Sequence, residues 1–324
     1  AGGGVRAFDS SVSWKRLLPA FALAVGYALV LYLAIWVGGD VLRLLSGLIL
    51  MPMAIASVFS AIADPKGERP LWFHVKWIVI VILVLLVLSV ILFREGGICV
   101  AMAAPFFFMG AIIGSALTVL VLRHQGTRKL PPLMIMLPLL LAPLETYFTY
   151  EMVDDQFTSV IEIDASPADI WAETIEIRNI APPERQRTFS HDVVGVPKPV
   201  DARMEGQGVG AVRQLQWTDG VRFQEVVTAW DENRRLAWDF RFGPDSIPDH
   251  VEAHIDVDSS YLKLARGEYV LEPLADGRSR LTLTTHYRIA TPINAYCKLW
   301  GRIFLNDFHS TVLKVIKTRV ESRG

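Results

Sequence analysis

Cysteine is nearly missing from this chain. The only two, Cys99 in an apolar run and Cys297 in a C-terminal helical stretch, sit in segments with no reason to meet, which argues against a disulfide framework and a cysteine zinc site. An excess of one charge is missing too: 32 basic against 33 acidic residues leaves a net −1. That is too little for a broad field toward nucleic acid, and no nucleic-acid partner is expected. No nucleophile elbow, phosphate loop or zinc-protease helix occurs. The first half also lacks ionisable groups deep in its apolar runs. A transporter or proton pump would carry them, because burying them there is costly and is kept for function. Arg43, His74, Lys76 and Glu145 fall near segment ends, where long side chains reach the interface.

What is present is grease. Hydrophobic residues make up 52% of the 324, and a mean hydropathy of +0.35 is too high for a wholly soluble chain of this size. The excess lies in the first half. Five segments, at 17–37, 41–63, 71–93, 98–122 and 130–148, approach the roughly 20 residues that cross a hydrocarbon core. The first is too long for a cleaved signal, and only Gly38, Gly39 and Asp40 separate it from the second, so the pair reads as a membrane hairpin. Arg6, Lys15 and Arg16, then Lys66 and Arg69, then Arg123, Arg128 and Lys129 fall on one side, against Arg43 and Arg94 on the other. Short cytoplasmic loops carry that excess. If the fifth segment spans, the second half emerges opposite the basic loops, in the periplasm of a bacterium whose inner membrane holds the bundle. Pro131, Pro132, Pro138 and Pro143 leave a re-entrant piece as the alternative. Gly110 and Gly114 form a GxxxG, a spacing that lets helices approach closely within a chain or between copies.

From about residue 151 the pattern is that of a soluble α+β domain, which divides the chain into 1–150 and 151–324. FTSVIEID alternates as a half-buried strand does. Ser166, Pro167 and Asp169 then give a helix start, followed by the apolar face of Ile170, Trp171 and Ile175. Residues 179–199, rich in proline and charge, read as short helix and loop. Strand patterns recur in GVGAVRQLQW, VRFQEVVTAW, RRLAWDFRF, HVEAHIDV, GEYVLEPL and RSRLTLTTHYRI, with turn residues between several of them. A long amphipathic helix from about Pro292 to Glu321 closes the chain. A strand, a helix, an antiparallel meander and a long closing helix imply a curved sheet wrapped around that last helix.

ASPADIWAE after the first strand, the hairpin GEYVLEPLADGRSRLTLTTHYRI and the closing LWGRIFLNDFHSTVLKVIKTRVE resemble the START-like, Bet v 1-like (SRPBCC) superfamily of polyketide cyclase, dehydrase and lipid-transfer domains. The resemblance covers about residues 157–322 and is nearest to a bacterial branch in which such a domain follows several membrane spans. It implies a helix-grip cavity for a hydrophobic ligand and leaves catalysis open. These motifs define fold more than chemistry.

Alternation on the strands and spacing on the last helix nominate lining residues: Phe223, Trp238, Phe240, Tyr269, Tyr287, Trp300, Phe304 and Phe308, with Leu281 and Leu283 on the Tyr287 face. Each could equally be core. For acid–base work Glu225, Glu268 and His286 stand first, with Asp239, Asp307 and His309 behind them, although spacing shows no convergence. His286 lies opposite Tyr287, so at most one points inward. His250, Glu252 and His254 share a strand face and would suit zinc or iron. Same-face neighbours about 6.5–7 Å apart cannot all reach one ion, so a solvated face is the plainer expectation, with no metal and no cofactor. Arg213, Arg241 and Arg288 are candidates for an anionic head group. The expectation is a membrane-anchored domain that binds or transfers a lipid or other hydrophobic small molecule. The alternatives are a cyclase- or dehydrase-like enzyme, and a non-catalytic module with a membrane-protein partner or a second copy.

Overall fold

The computed structural model describes residues 14–36, 46–93, 95–125, 132–145, 147–251, 257–275 and 277–323. The chain forms two compact units, Ala1–Ser89 with Ala103–Phe148, and Val90–Met102 with Thr149–Gly324.

Apolar runs without strand alternation form the helices of the first half of the chain: α1 (Trp14–Trp36), α2 (Met51–Ala63), α3 (Leu71–Phe93), α4 (Gly97–Gln125) and α5 (Pro132–Glu145). A π-helical turn, Ser46–Leu50, extends the start of α2. By length and composition four helices are apolar enough to cross a membrane: Trp14–Leu33, Ser46–Ala63, Leu71–Leu92 and Gly97–His124. The segment expected at 130–148 forms a helix of only 14 residues. At 1.5 Å per residue it is about 21 Å long, short of a hydrocarbon core of about 30 Å. Two contacts set its depth. The Tyr27 hydroxyl, midway along α1, donates to the Ile135 carbonyl, and Glu145 Oε2 accepts from Ser46 N at 2.9 Å and Ser46 Oγ at 2.7 Å. Because Ser46 lies at the opposite end of α2 from Asp64, α5 fills the half of the bundle away from the Lys66–Arg69 loop.

The GxxxG is used inside the chain. A Cβ on Gly110 would come within 2.6 Å of the Ile49 carbonyl oxygen, and one on Gly114 would overlap Met53. Missing side chains thus let α4 lie directly on the backbone that leads into α2. Further along α2, Ser60 Oγ donates to Ser115 Oγ at 3.2 Å.

In the second unit the elements run β1 (Val153–Ile163), α6 (Pro167–Ile175), β2 (Pro199–Glu205), β3 (Val212–Trp217), β4 (Arg222–Asp231), β5 (Arg235–Arg241), β6 (Leu262–Pro273), β7 (Ser279–Ile289) and α7 (Asn294–Glu321). They build one antiparallel sheet in the order β1-β7-β6-β5-β4-β3-β2. Ser166 caps α6 as expected, its Oγ accepting from Asp169 N. Leu313, Ile316 and Val320 of α7 share one buried cluster with Ile163, Leu281 and Leu283 of the sheet. This is a helix-grip arrangement, sheet wrapped on closing helix.

Two sequence expectations change here. Strand β2 begins at the last residue of the stretch read as short helix and loop and covers residues that the sequence left unassigned; Pro199, Asp201 and Glu205 have poor strand propensity, and pairing with β3 imposes the extended form. His250 is exposed in a turn closed by Val251 N to Pro248 O at 2.8 Å, not on a strand. Glu252 and His254 lie outside the described residues. Among the described residues no cluster of three His, Cys, Asp or Glu could hold a metal.

Candidate ligand-binding site

Strand register decides which side chains face α6 and α7. Pairing sets Ser159 opposite Leu283, Leu283 opposite Tyr269, Tyr269 opposite Leu236, Trp238 opposite Val227, and Glu225 opposite Arg213. With one face per alternate residue, these side chains share the inner face. Thr284, Glu268 and His286 take the outer one.

On the inner face, between β3 and β4, sits a charged pair. Arg213 Nε donates to Glu225 Oε2 at 2.6 Å, and Nη2 lies 2.5 Å from the same oxygen. Its Nη1 donates to the Thr174 carbonyl at 2.6 Å, at the C-terminal end of α6, where the helix dipole favours a cation. The guanidinium lies 4.5 Å over the Trp238 ring and 5.7 Å from Tyr269. Both partners are buried. Burial raises the Glu225 carboxyl pKa, and the adjacent guanidinium opposes that rise. Burial likewise raises the Tyr269 phenol. Trp238 can lie flat here because Gly267 has no side chain: a Cβ there would overlap the indole.

From this pair a string of rings runs along the inner face toward α7. Tyr269 and Trp238 are 5.1 Å apart, Trp238 and Phe240 6.3 Å, Phe240 and Phe223 6.2 Å, Phe223 and Trp217 5.7 Å, and Trp217 and Phe308 5.2 Å. The deep members are packed, whereas Phe240, Phe223, Trp217 and Phe308 remain half-buried. Trp300 and Phe304 continue on α7 at 5.4 Å.

The nominated lining residues therefore divide. Phe223, Phe240, Trp300, Phe304 and Phe308 keep accessible ring surface; Trp238, Tyr269 and Tyr287 are buried at 3% each. Tyr287 donates to Asp155 Oδ2 at 3.1 Å, and burial pushes its phenol up to about 12. The acid–base candidates do not converge. Glu225 is inside but bound to Arg213. Glu268 is on the outer face, where Arg235 Nε donates to it at 3.0 Å, and His286 is on that face too. Asp239 is exposed and pairs with Arg266.

Two histidines stand closer to the rings. His309, from α7, reaches Thr285 Oγ1 at 2.9 Å and Ser159 Oγ at 3.1 Å, and burial lowers its pKa to about 4. His191 escaped the sequence reading. It sits in a π-helical turn, Ser190–Val194, that Gly195 ends with φ 87° and that Asp307 of α7 holds through Ser190 N at 2.8 Å and Ser190 Oγ at 2.6 Å. Its Nδ1 faces the Val196 carbonyl at 2.9 Å, so that nitrogen carries the proton. The buried Nε2 has no partner among the described residues. The imidazole lies 5.4 Å from the Phe308 ring, and burial lowers its pKa. Nothing in local sequence marked it, since a one-turn π helix has no periodic signature.

The chain is similar to several solved structures. Norcoclaurine synthase from Thalictrum flavum, in complex with dopamine and hydroxybenzaldehyde, matches 53% of this chain and 90% of its own at 13% identity, with a TM-score of 0.36. Zhui aromatase/cyclase from Streptomyces sp. R1128 matches 53% and 96% at 13% identity, with a TM-score of 0.34. Ara h 8.0201 matches 52% and 99% at 15% identity, with a TM-score of 0.32. No family model matches, and no curated protein matches.

Proposed function

We propose that the sheet-and-helix unit binds a hydrophobic, lipid-like molecule against its inner face, in a protein anchored in a membrane by the helical unit. The half-buried ring row Phe240–Phe223–Trp217–Phe308 carries this reading. It offers apolar surface worth about 25 cal/mol per Å² if covered, beside a single buried charged pair, which is the usual make-up of a small-molecule site. The end of α5 at Ser46, away from the Lys66–Arg69 loop, supports an exit of the chain opposite the basic side, hence a periplasmic second unit in a bacterial inner membrane.

The test is mass spectrometry of organic extracts from full-length protein purified in mild detergent. A hydrophobic molecule at near-stoichiometric level, depleted by Phe223→Asp with Phe240→Asp, is expected. Identical extracts from both proteins would overturn the reading.

His191 favours one second reading, a cyclase- or dehydrase-like enzyme. A neutral imidazole with one nitrogen fixed and the other bare is equipped to take a proton from a substrate lying on Phe308. That reading expects solvent deuterium to enter the co-purified molecule, and the exchange to stop in His191→Gln while binding persists. Exchange unaffected by the substitution would rule it out.

A further inference from the structure

The helical unit has its own recess, at the end that carries the basic loops. It measures about 310 Å³ and is lined by Arg16 and Leu17 of α1 and by Asp64, Glu68, Arg69 and Phe73 around the α2–α3 connection. The connection is a built structure. Asp64 Oδ2 accepts from Arg69 N at 2.8 Å and Oδ1 from Glu68 N at 3.2 Å, while the buried His74 reaches Oδ2 at 3.3 Å. Arg123 of α4 clasps the outside, donating to the Gly67 carbonyl at 2.8 Å and the Arg69 carbonyl at 2.9 Å. Arg69 lies 5.5 Å over the Phe73 ring.

The lining charges select the ligand. Among the described residues the lining holds two guanidinium groups and two carboxylates, so a bare anion would sit near Asp64 and Glu68, and a bare cation near Arg16 and Arg69. A dipolar group suits all four. The Asp64 carboxylate is committed to the loop, which leaves Glu68, exposed and 4.0 Å from Lys66, as the acidic arm. Leu17 and Phe73 give the recess an apolar wall at the mouth of helices that are long enough to span. We propose that this recess binds a phosphate linked to a primary ammonium, the phosphate on Arg16 and Arg69 and the ammonium on Glu68. Guanidinium forks match phosphate oxygens, and a primary ammonium donates hydrogen bonds that a quaternary one lacks. The proposal shares no residue with the inner-face site of the second unit, so either can fail alone.

The test places the full chain in nanodiscs holding equal parts phosphatidylethanolamine, phosphatidylglycerol and phosphatidylcholine and reads the retained lipids by native mass spectrometry. Phosphatidylethanolamine should be enriched about fivefold, the factor of one ion pair near an interface. Arg16→Gln with Arg69→Gln should abolish retention, and Glu68→Gln, an exposed change that leaves the loop bonds in place, should remove only the preference over phosphatidylglycerol. Soluble phosphoethanolamine, added as competitor, separates the sources: displacement identifies the free head group as sufficient, and no displacement assigns the ligand to the bilayer. Preference for phosphatidylglycerol, or equal retention by wild type and Glu68→Gln, would overturn the proposal.

Discussion

Arg213 holds Glu225 across the β3–β4 pair at 2.6 Å while its guanidinium covers the Trp238 ring at 4.5 Å. One residue therefore satisfies a buried carboxylate and seals the deep end of the ring row.

Removing one partner should be far worse than removing both. Glu225→Gln leaves a buried cation without its counter-charge, and a loss of about 3–5 kcal/mol is expected, whereas Arg213→Met with Glu225→Leu should recover most of it. Thermal melts of the full chain in detergent, followed by near-UV circular dichroism of the second unit, check this order. A double variant no better than the single one would contradict it.

The second unit should weaken in acid. The His309 pKa is about 4 in the folded chain and near 6.5 when free, so between those values the unfolded state binds the extra proton. Stability is fully present above about pH 6.5 and falls as pH drops toward 4, by on the order of 3 kcal/mol for this group. Lowered in the same direction by burial, His191 adds to the slope. His309→Gln should flatten the curve of melting temperature against pH between 4 and 7; an unchanged slope would count against this account.

Gly267 should resist any side chain. Alanine there overlaps the Trp238 indole, and the expected cost is about 1–3 kcal/mol, as for other overpacked cores. Trp238 should move with it, so a changed near-UV tryptophan band must accompany the lower melting temperature.

In the helical unit, Gly114→Leu should force α4 off Met53. Loss of monodisperse protein on size exclusion is the expected result, and a variant that elutes like the wild type would contradict the close approach. Leu117, in the same helix at 37% exposure, is the control, and its replacement by alanine should be neutral within about 0.5 kcal/mol.

How much of this was legible in the sequence depended on range. Alternation set Tyr287 and His286 on opposite faces, and of the helix aromatics Phe308 meets the sheet, at Trp217. Arg213 and Glu225 were both singled out, but as a head-group binder and an acid. Only the register that sets them opposite each other turns two candidates into one pair, and register is a property of partner strands rather than of either strand alone. Strand β2 was missed for the same reason. The fifth apolar segment had the composition of a span, yet its helix covers only 14 residues.

The sheet order also dictates when this unit can form. Among the described residues β1 pairs with β7 alone, and their cross-strand threonines, Thr158 and Thr284, are 126 residues apart in sequence. The first strand of the sheet must therefore wait, unpaired, for the last. Closing so long a loop is slow, and no N-terminal fragment ending before β7 can complete the sheet. The unit should thus assemble only once β7 has been synthesised, and a stop before it would leave β1 as a sticky, unpartnered edge.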